Sequence, residues 1–258
     1  MKKDYAHVTE VSGDYVSKEQ LQRMYSRYAF AKHYCEGKDV LEVACGSGQG
    51  LGFLKKSTQS LVGGDFSDYL LRTAQSYYGS KIPLVRLDAQ RLPFKTASFD
   101  VVILFEAIYY LQQHESFFLE CNRVLRPQGH VIICNANKDL PDFNPSPYSY
   151  RYFSPSDFSS VLGSMGFGVE CFGDCEVDYD HPKQRFFSLL KRMIVRFDLM
   201  PKTMAGKKFL KRLVFGKLVL LPAELPSNMS VFHFPIAVDT SKADIRHKVV
   251  FAVGQKRS

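Results

Sequence analysis

Four carboxylates, two tyrosines and one run of small residues are best placed for chemistry. Glu42 stands in the apolar stretch Val40-Leu41-Glu42-Val43, followed at once by Ala44-Cys45-Gly46-Ser47-Gly48-Gln49-Gly50. A small-residue turn after a strand lets backbone come close to a ligand, because glycine has no Cβ in the way. An open α/β sheet binds its ligand at such a strand-turn-helix mouth. Asp65 ends the next apolar stretch, Ser60-Leu61-Val62-Gly63-Gly64-Asp65, about twenty residues past the turn. An acid there can accept two hydrogen bonds from the vicinal hydroxyls of a ribose. Asp88 closes a third such stretch, and Glu106, Tyr109 and Tyr110 follow a fourth. Glu42 argues against a phosphate cradle, since its carboxylate would repel a pyrophosphate and suits an ammonium.

The elements that must position these residues alternate. Apolar runs at 40–43, 60–65, 83–88 and 99–105 read as strands, the first a buried parallel strand and the fourth apolar enough to be buried on both faces. A fifth strand follows Arg126-Pro127-Gln128-Gly129, a sixth spans 168–172, and the last, 248–253, lies at the end of the chain. Helices are expected at 18–34, after the glycine turn, behind Ser67 as N-cap, at 112–125, and behind Ser154-Pro155. The alternation predicts an α/β fold with a doubly wound parallel sheet. Residues 1–17 read as a polar, loosely structured arm. The helix at 18–34 shows an apolar face of Leu21, Met24, Tyr25 and Tyr28, and delivers Arg27 and Tyr28 just ahead of the first strand.

The chain has 258 residues, 45% hydrophobic and 23% charged, enough for one large domain with an insertion. No apolar run is long enough to span a membrane. The start is basic but has no apolar core behind it, so it is not read as a secretory signal. The six cysteines form no CxxC pair and read as buried free thiols of a reduced, cytoplasmic setting. The net charge is +8, and the excess is local. An insertion at 178–228 interleaves Lys191, Arg192, Arg196, Lys207, Lys208 and Lys211 with Phe187, Leu190, Phe197 and Phe209. It reads as two or three amphipathic helices. They form either a lid with a solvated basic face or a surface for an anionic or lipid-linked partner, peripheral to the inner membrane surface.

Five landmarks in order resemble one family: VLEVACGSG at 40–48, VGGDFS at 62–67, LDAQRLPF at 87–94, FDVVILFEAIYYL at 99–111 and CNRVLRPQGHVII at 121–133. Together they resemble the class I S-adenosylmethionine-dependent methyltransferases, in the broad small-molecule group called type 11. The resemblance covers residues 27–177 and the terminal strand. It implies a Rossmann-like, doubly wound, seven-stranded sheet with an antiparallel last strand and a helical insertion before it. The core would be 1–177 plus 229–258, with 1–34 as arm and helix, and 178–228 the substrate lid. It also implies roles. Glu42, Ala44, Gly46 and Gly48 would hold the amino-acid end of S-adenosylmethionine. Asp65 would take the ribose, with Phe66 against the adenine. Asp88 and Ala89 would meet the adenine edge, and Phe105 would lend backbone near the sulfonium. Arg27 and Tyr28 would reach the methionyl carboxylate.

Two departures from the family matter. Pro127-Gln128-Gly129 replaces the usual PGG, a turn of structural consequence only. Some relatives bind a divalent metal through Glu-x-x-Glu-His where this chain has Glu106-Ala107-Ile108-Tyr109-Tyr110. A lone carboxylate is a poor metal site, so no metal is expected. The expected reaction is O-methylation of a small molecule or saccharide by in-line displacement. Glu106 and Tyr109 are the catalytic candidates, Tyr110 is a second wall, and His181 and His233 flank the insertion. Three alternatives stay open: an RNA methyltransferase using the basic insertion, an NAD(P)-dependent oxidoreductase on the same sheet, and a non-catalytic cofactor-binding scaffold. Neither the acceptor nor the oligomeric state is legible in the residues.

Overall fold

The computed structural model describes residues 9–146, 148–177, 218–229 and 232–257. An eight-stranded mixed sheet runs through the molecule in the order β4-β3-β2-β5-β6-β10-β7-β9. Its strands are β2 (Asp39–Val43), β3 (Ser60–Asp65), β4 (Leu84–Arg86), β5 (Phe99–Phe105), β6 (Leu125–Ala136), β7 (Phe167–Glu176), β9 (Ile236–Ala237) and β10 (His247–Lys256). Strands β4 to β6 are parallel, and β10 slots antiparallel between β6 and β7. The antiparallel last strand is therefore as expected, and the two-residue β9 adds an eighth strand at the edge.

Helices cover both faces. Strand residues alternate between them, which is why the strands read as unbroken apolar runs. Leu41, Val102, Leu104, Val131 and Ile133 meet Phe117 and Phe118 of α4 (His114–Val124) and Phe158 and Leu162 of α5 (Pro155–Ser164). Val40, Val101, Ile103 and Ile132 meet Phe30 and Ala31 of α1 (Lys18–Cys35), Leu54 of α2 (Leu51–Lys55) and Ala74 of α3 (Asp68–Tyr78). The caps lie where the residue types place them. Ser17 closes a capping box with Gln20, Ser67 caps α3, and Ser154 closes a box with Asp157 ahead of Pro155.

Three expectations change. The third strand is short, and Asp88 lies beyond it in a bridge with Arg91. Residues 126–129 are drawn into β6 as an irregularity of register against β5, with Gln128 at a left-handed φ of 64°. The arm, expected to be loose, packs on the core over its described residues 9–17. Its strand β1 (Tyr15–Ser17) pairs antiparallel with β8 (Leu218–Leu220), and Val16 is buried. The partner strand comes from the far end of the insertion, so no local pattern could announce it. Residues 218–229 likewise pack on the core: Leu221 and Leu225 are buried and Glu224 pairs with Lys56. The rest of the insertion, with His181, lies outside the described residues. No helix among the described residues is long and apolar enough to cross a membrane. The six cysteines are free, five of them buried.

At the end of β6 the buried Asn137 ties the last strand in place. Its Nδ2 donates to the main-chain oxygens of Asp244 at 2.6 Å and His247 at 2.8 Å. Asn137→Ala should leave both carbonyls unpaired and destabilise the fold by about 2–3 kcal/mol. Denaturant titration should show a lower midpoint with an unchanged slope.

Candidate functional site

The turn after β2 takes a path that only small residues follow easily. Ala44, Gly46 and Gly48 have φ of 58°, 59° and 84°. Gly46 faces a cavity of about 630 Å³ at the carboxyl ends of the parallel strands. Gly48 faces the other way, and a Cβ there would stand 3.0 Å from the Tyr78 ring on α3. Tyr78 Oη donates to the Gly48 oxygen at 2.8 Å and accepts from the Gly52 amide at 3.0 Å. The amides of both glycines are already used within the protein. Gly46 N donates to Asp65 Oδ2 at 2.9 Å, and Gly48 N to the Cys45 oxygen at 3.0 Å.

Asp65 is buried at the tip of β3, and its Oδ1 accepts from Ser67 N at 2.8 Å. Burial raises its pKa, against the backbone hydrogen bonds from Ser67, Gly46 and Phe66. It organises the turn, and each oxygen keeps a lone pair for a further donor. Phe66, Asp88 and Ala89 line the same end of the cavity; Asp88 is exposed, with Oδ1 accepting from Gln90 N at 2.9 Å.

Glu42 lies beneath this cavity and does not border it. It is 2% exposed, and Tyr28 Oη donates to its Oε1 at 2.6 Å. Its Oε2 is buried with no partner among the described residues. Desolvation raises its pKa to about 8, with Tyr28 pulling down and Asp65 pushing up. Burial and then Glu42 raise the Tyr28 phenol well above its ordinary value. The Tyr28 ring occupies the space a Cβ on Gly50 would fill, and its edge meets Phe105 at 5.3 Å between centroids. Tyr28 itself lines the cavity.

The strand-β5 side carries Glu106 at φ 50°. Its Oε1 lies 3.4 Å from Arg27 Nη1, and its Oε2 accepts from Tyr109 Oη at 3.1 Å. Burial opposes the Arg27 charge most strongly, but Glu106, together with Cys134, Tyr28 and Glu10, offsets it and the pKa rises. Burial and then Glu106 raise the Tyr109 phenol well above its usual range. The Tyr109 ring stacks on Tyr152 at 4.2 Å. Tyr109 is thus a neutral wall at neutral pH, and Glu106 is an engaged carboxylate.

The cavity gathers Arg27, Tyr28, Ala44, Gly46, Asp65, Phe66, Asp88, Ala89, Phe105, Glu106 and Tyr109, and leaves Glu42 and Gly48 behind its wall. His233 is exposed and away from it. Several lining residues escaped the sequence reading. Thr9 and Glu10 of the arm lie across the turn: the Glu10 oxygen accepts from Gln49 Nε2 at 3.0 Å, and Thr9 Cγ2 is 3.5 Å from where a Gly46 Cβ would stand. Gln20 and Arg23 join Arg27 on one face of α1. Their spacing of three and four residues was the available signal.

Known proteins fit this architecture. Residues 41–133 match the family model described as "Methyltransferase domain". A "Probable S-adenosylmethionine-dependent methyltransferase" of Mycolicibacterium smegmatis is 30% identical over 153 residues, 57% of each chain. A "Fatty-acid O-methyltransferase" of the same organism is 34% identical over 113 residues, 42% of this chain and 41% of that one. The chain spans about half the length of the curated relatives it matches. The crystal structure of the YcgJ protein of Bacillus subtilis superposes with a TM-score of 0.59 at 17% identity, over 91% of this chain and 99% of that one. That last likeness is one of fold.

Because Glu42 holds its proton more tightly when folded than unfolded, its stabilising effect is complete at low pH and lost as pH rises through about 8. The ligand-free protein should therefore lose up to about 4 kcal/mol between pH 5 and pH 8 from this group. Glu42→Gln should flatten that slope and be the more stable form at pH 8, as read by denaturant titration across pH. An equally steep slope in the variant would show that Glu42 is ionised in the folded chain.

Proposed function

We propose that the chain is a class I S-adenosylmethionine-dependent methyltransferase that methylates an oxygen of a small, lipid-like acceptor by in-line displacement. One observation supports this most. A single cavity runs from the acids after β3 and β4, past Gly46 and Phe105, to an apolar wall of Tyr109, Tyr110, Leu111 and Ala136. It has one end for a nucleoside and another for an acceptor. The fatty-acid O-methyltransferase among the relatives supports an oxygen nucleophile on an acyl compound.

S-adenosylmethionine supplies an electrophilic methyl on a sulfonium that departs as a neutral sulfide. The work left to the chain is alignment and exclusion of water. In this reading Asp65 accepts from the ribose hydroxyls with its remaining lone pairs. Phe66 lies along the adenine, and Asp88 and the Ala89 amide meet its edge. Ala44 and Gly46 allow close backbone approach at the methionine end, Phe105 lends backbone near the sulfur, and Arg27 faces the carboxylate. Glu42 does not border the cavity and acts on it through Tyr28, whose Oη donates to its Oε1 at 2.6 Å. Gly48 shapes the turn. Tyr109 packs the acceptor, and Glu106 fixes Tyr109 and Arg27.

Asp65→Ala should raise the dissociation constant of S-adenosylhomocysteine about 30-fold, on the order of 2 kcal/mol for hydrogen bonds to a charged group. Asp65→Asn should fall between. An unchanged constant, with the circular dichroism intact, would refute the ribose role.

A further inference from the structure

Two guanidinium groups of α1 border the cavity, and one of them is neutralised. Gln20, Arg23 and Arg27 turn to one helix face and all line the cavity. Arg27 faces Glu106 at 3.4 Å. Arg23 is half-buried and, among the described residues, has no carboxylate within ion-pair distance. The sheet sets the two ends of the site apart. Asp65 ends β3 and Asp88 follows β4, on one flank of β2. Arg23 lies toward the other flank, where its charge bears on the Cys175 thiol in β7, beyond β6 and β10. Between them stand Tyr109, Tyr110, Leu111 and Ala136.

We propose that the acceptor presents a carboxylate and that Arg23 receives it, with the apolar remainder of the acceptor against the tyrosine wall. This rests on the methyltransferase reading and narrows it to ester formation. A carboxylate oxygen is already the nucleophile. It forms the new O–C bond as the C–S bond breaks, and the electron pair leaves on sulfur. The negative acceptor and the sulfonium become a neutral ester and a neutral sulfide, and no proton moves.

The wall suits that chemistry. Glu106 is engaged by Arg27 and Tyr109, and Glu10 Oε1 accepts from Gln20 Nε2 at 2.7 Å. The phenols of Tyr28, Tyr109 and Tyr110 are all raised, chiefly by burial, and stay neutral at neutral pH. A neutral hydroxyl acceptor asks for a base poised near the working pH. A carboxylate asks instead for a cation to offset its desolvation. Arg23 offers that cation, and its planar fork matches a carboxylate in two hydrogen bonds.

The test is calorimetric titration of the full chain, saturated with S-adenosylhomocysteine, with dodecanoate and with dodecan-1-ol as the uncharged control. Dodecanoate should bind, Arg23→Gln should weaken it about tenfold or more, and Arg23→Lys should recover part of the loss. Affinity for S-adenosylhomocysteine should stay within about twofold of the parent in both variants. Dodecan-1-ol should bind no more weakly to Arg23→Gln than to the parent. Dodecanoate that fails to bind the loaded protein, or binds without regard to Arg23, overturns the proposal. A parallel loss of S-adenosylhomocysteine affinity in Arg23→Gln overturns it too, by moving Arg23 to the cofactor. If S-adenosylhomocysteine does not bind the parent protein at all, the methyltransferase reading fails and this one with it.

Discussion

A carboxylate buried under a glycine turn has to be satisfied, and in this chain it is satisfied by a helix from a different segment. Glu42 sits in β2 with one oxygen held by Tyr28 and the other without a partner. Burying a carboxylate in this way is unfavourable unless it is paired or protonated. The arrangement therefore ties three things together: the position of α1, the absence of a side chain at Gly50, and the proton on Glu42. Tyr28 can reach Glu42 because its ring occupies the space above Gly50. Once Tyr28 is fixed, α1 is fixed, and the face bearing Gln20, Arg23 and Arg27 is turned into the cavity.

The same constraint explains the division of the site. On one flank, Asp65 joins the turn to β3 through the Gly46 and Ser67 amides. On the other, the Arg27–Glu106–Tyr109 chain joins α1 to the end of β5. Each network uses its own groups fully enough to be rigid, and each leaves something over. Asp65 retains lone pairs and, among the described residues, Glu42 has an unpartnered oxygen and Arg23 no carboxylate within ion-pair distance. A methyl transfer whose leaving group is neutral depends on alignment above all, and a rigid frame with residual valences of this kind suits it.

Much of this was legible in the residues. The strand and helix order followed from apolar runs and caps, and Asp65 fell at the end of β3 because parallel strands finish on the ligand side of the sheet, while Asp88 lies past the short β4. The placement of Glu42 was not legible. A carboxylate beside a glycine turn suggests direct contact, and only the three-dimensional course of α1 shows Tyr28 standing in between. The course of the arm is not legible for a related reason: its partners, Gln49 and β8, are distant in sequence, and a polar segment gives no periodic signal for a strap. Arg23 was overlooked because the helix was read for its apolar face, Leu21, Met24, Tyr25 and Tyr28. The polar stripe beside it carried equal periodicity.

The central claim is that this cavity holds the nucleoside and amino-acid parts of S-adenosylmethionine. Calorimetric titration of the unmodified chain with S-adenosylhomocysteine and, separately, with NADH addresses it directly. The account predicts saturable binding of one S-adenosylhomocysteine per chain and none of NADH, because the Gly46 and Gly48 amides that would cradle its pyrophosphate already donate to Asp65 and Cys45. Saturable NADH binding, or no heat with S-adenosylhomocysteine, would contradict it.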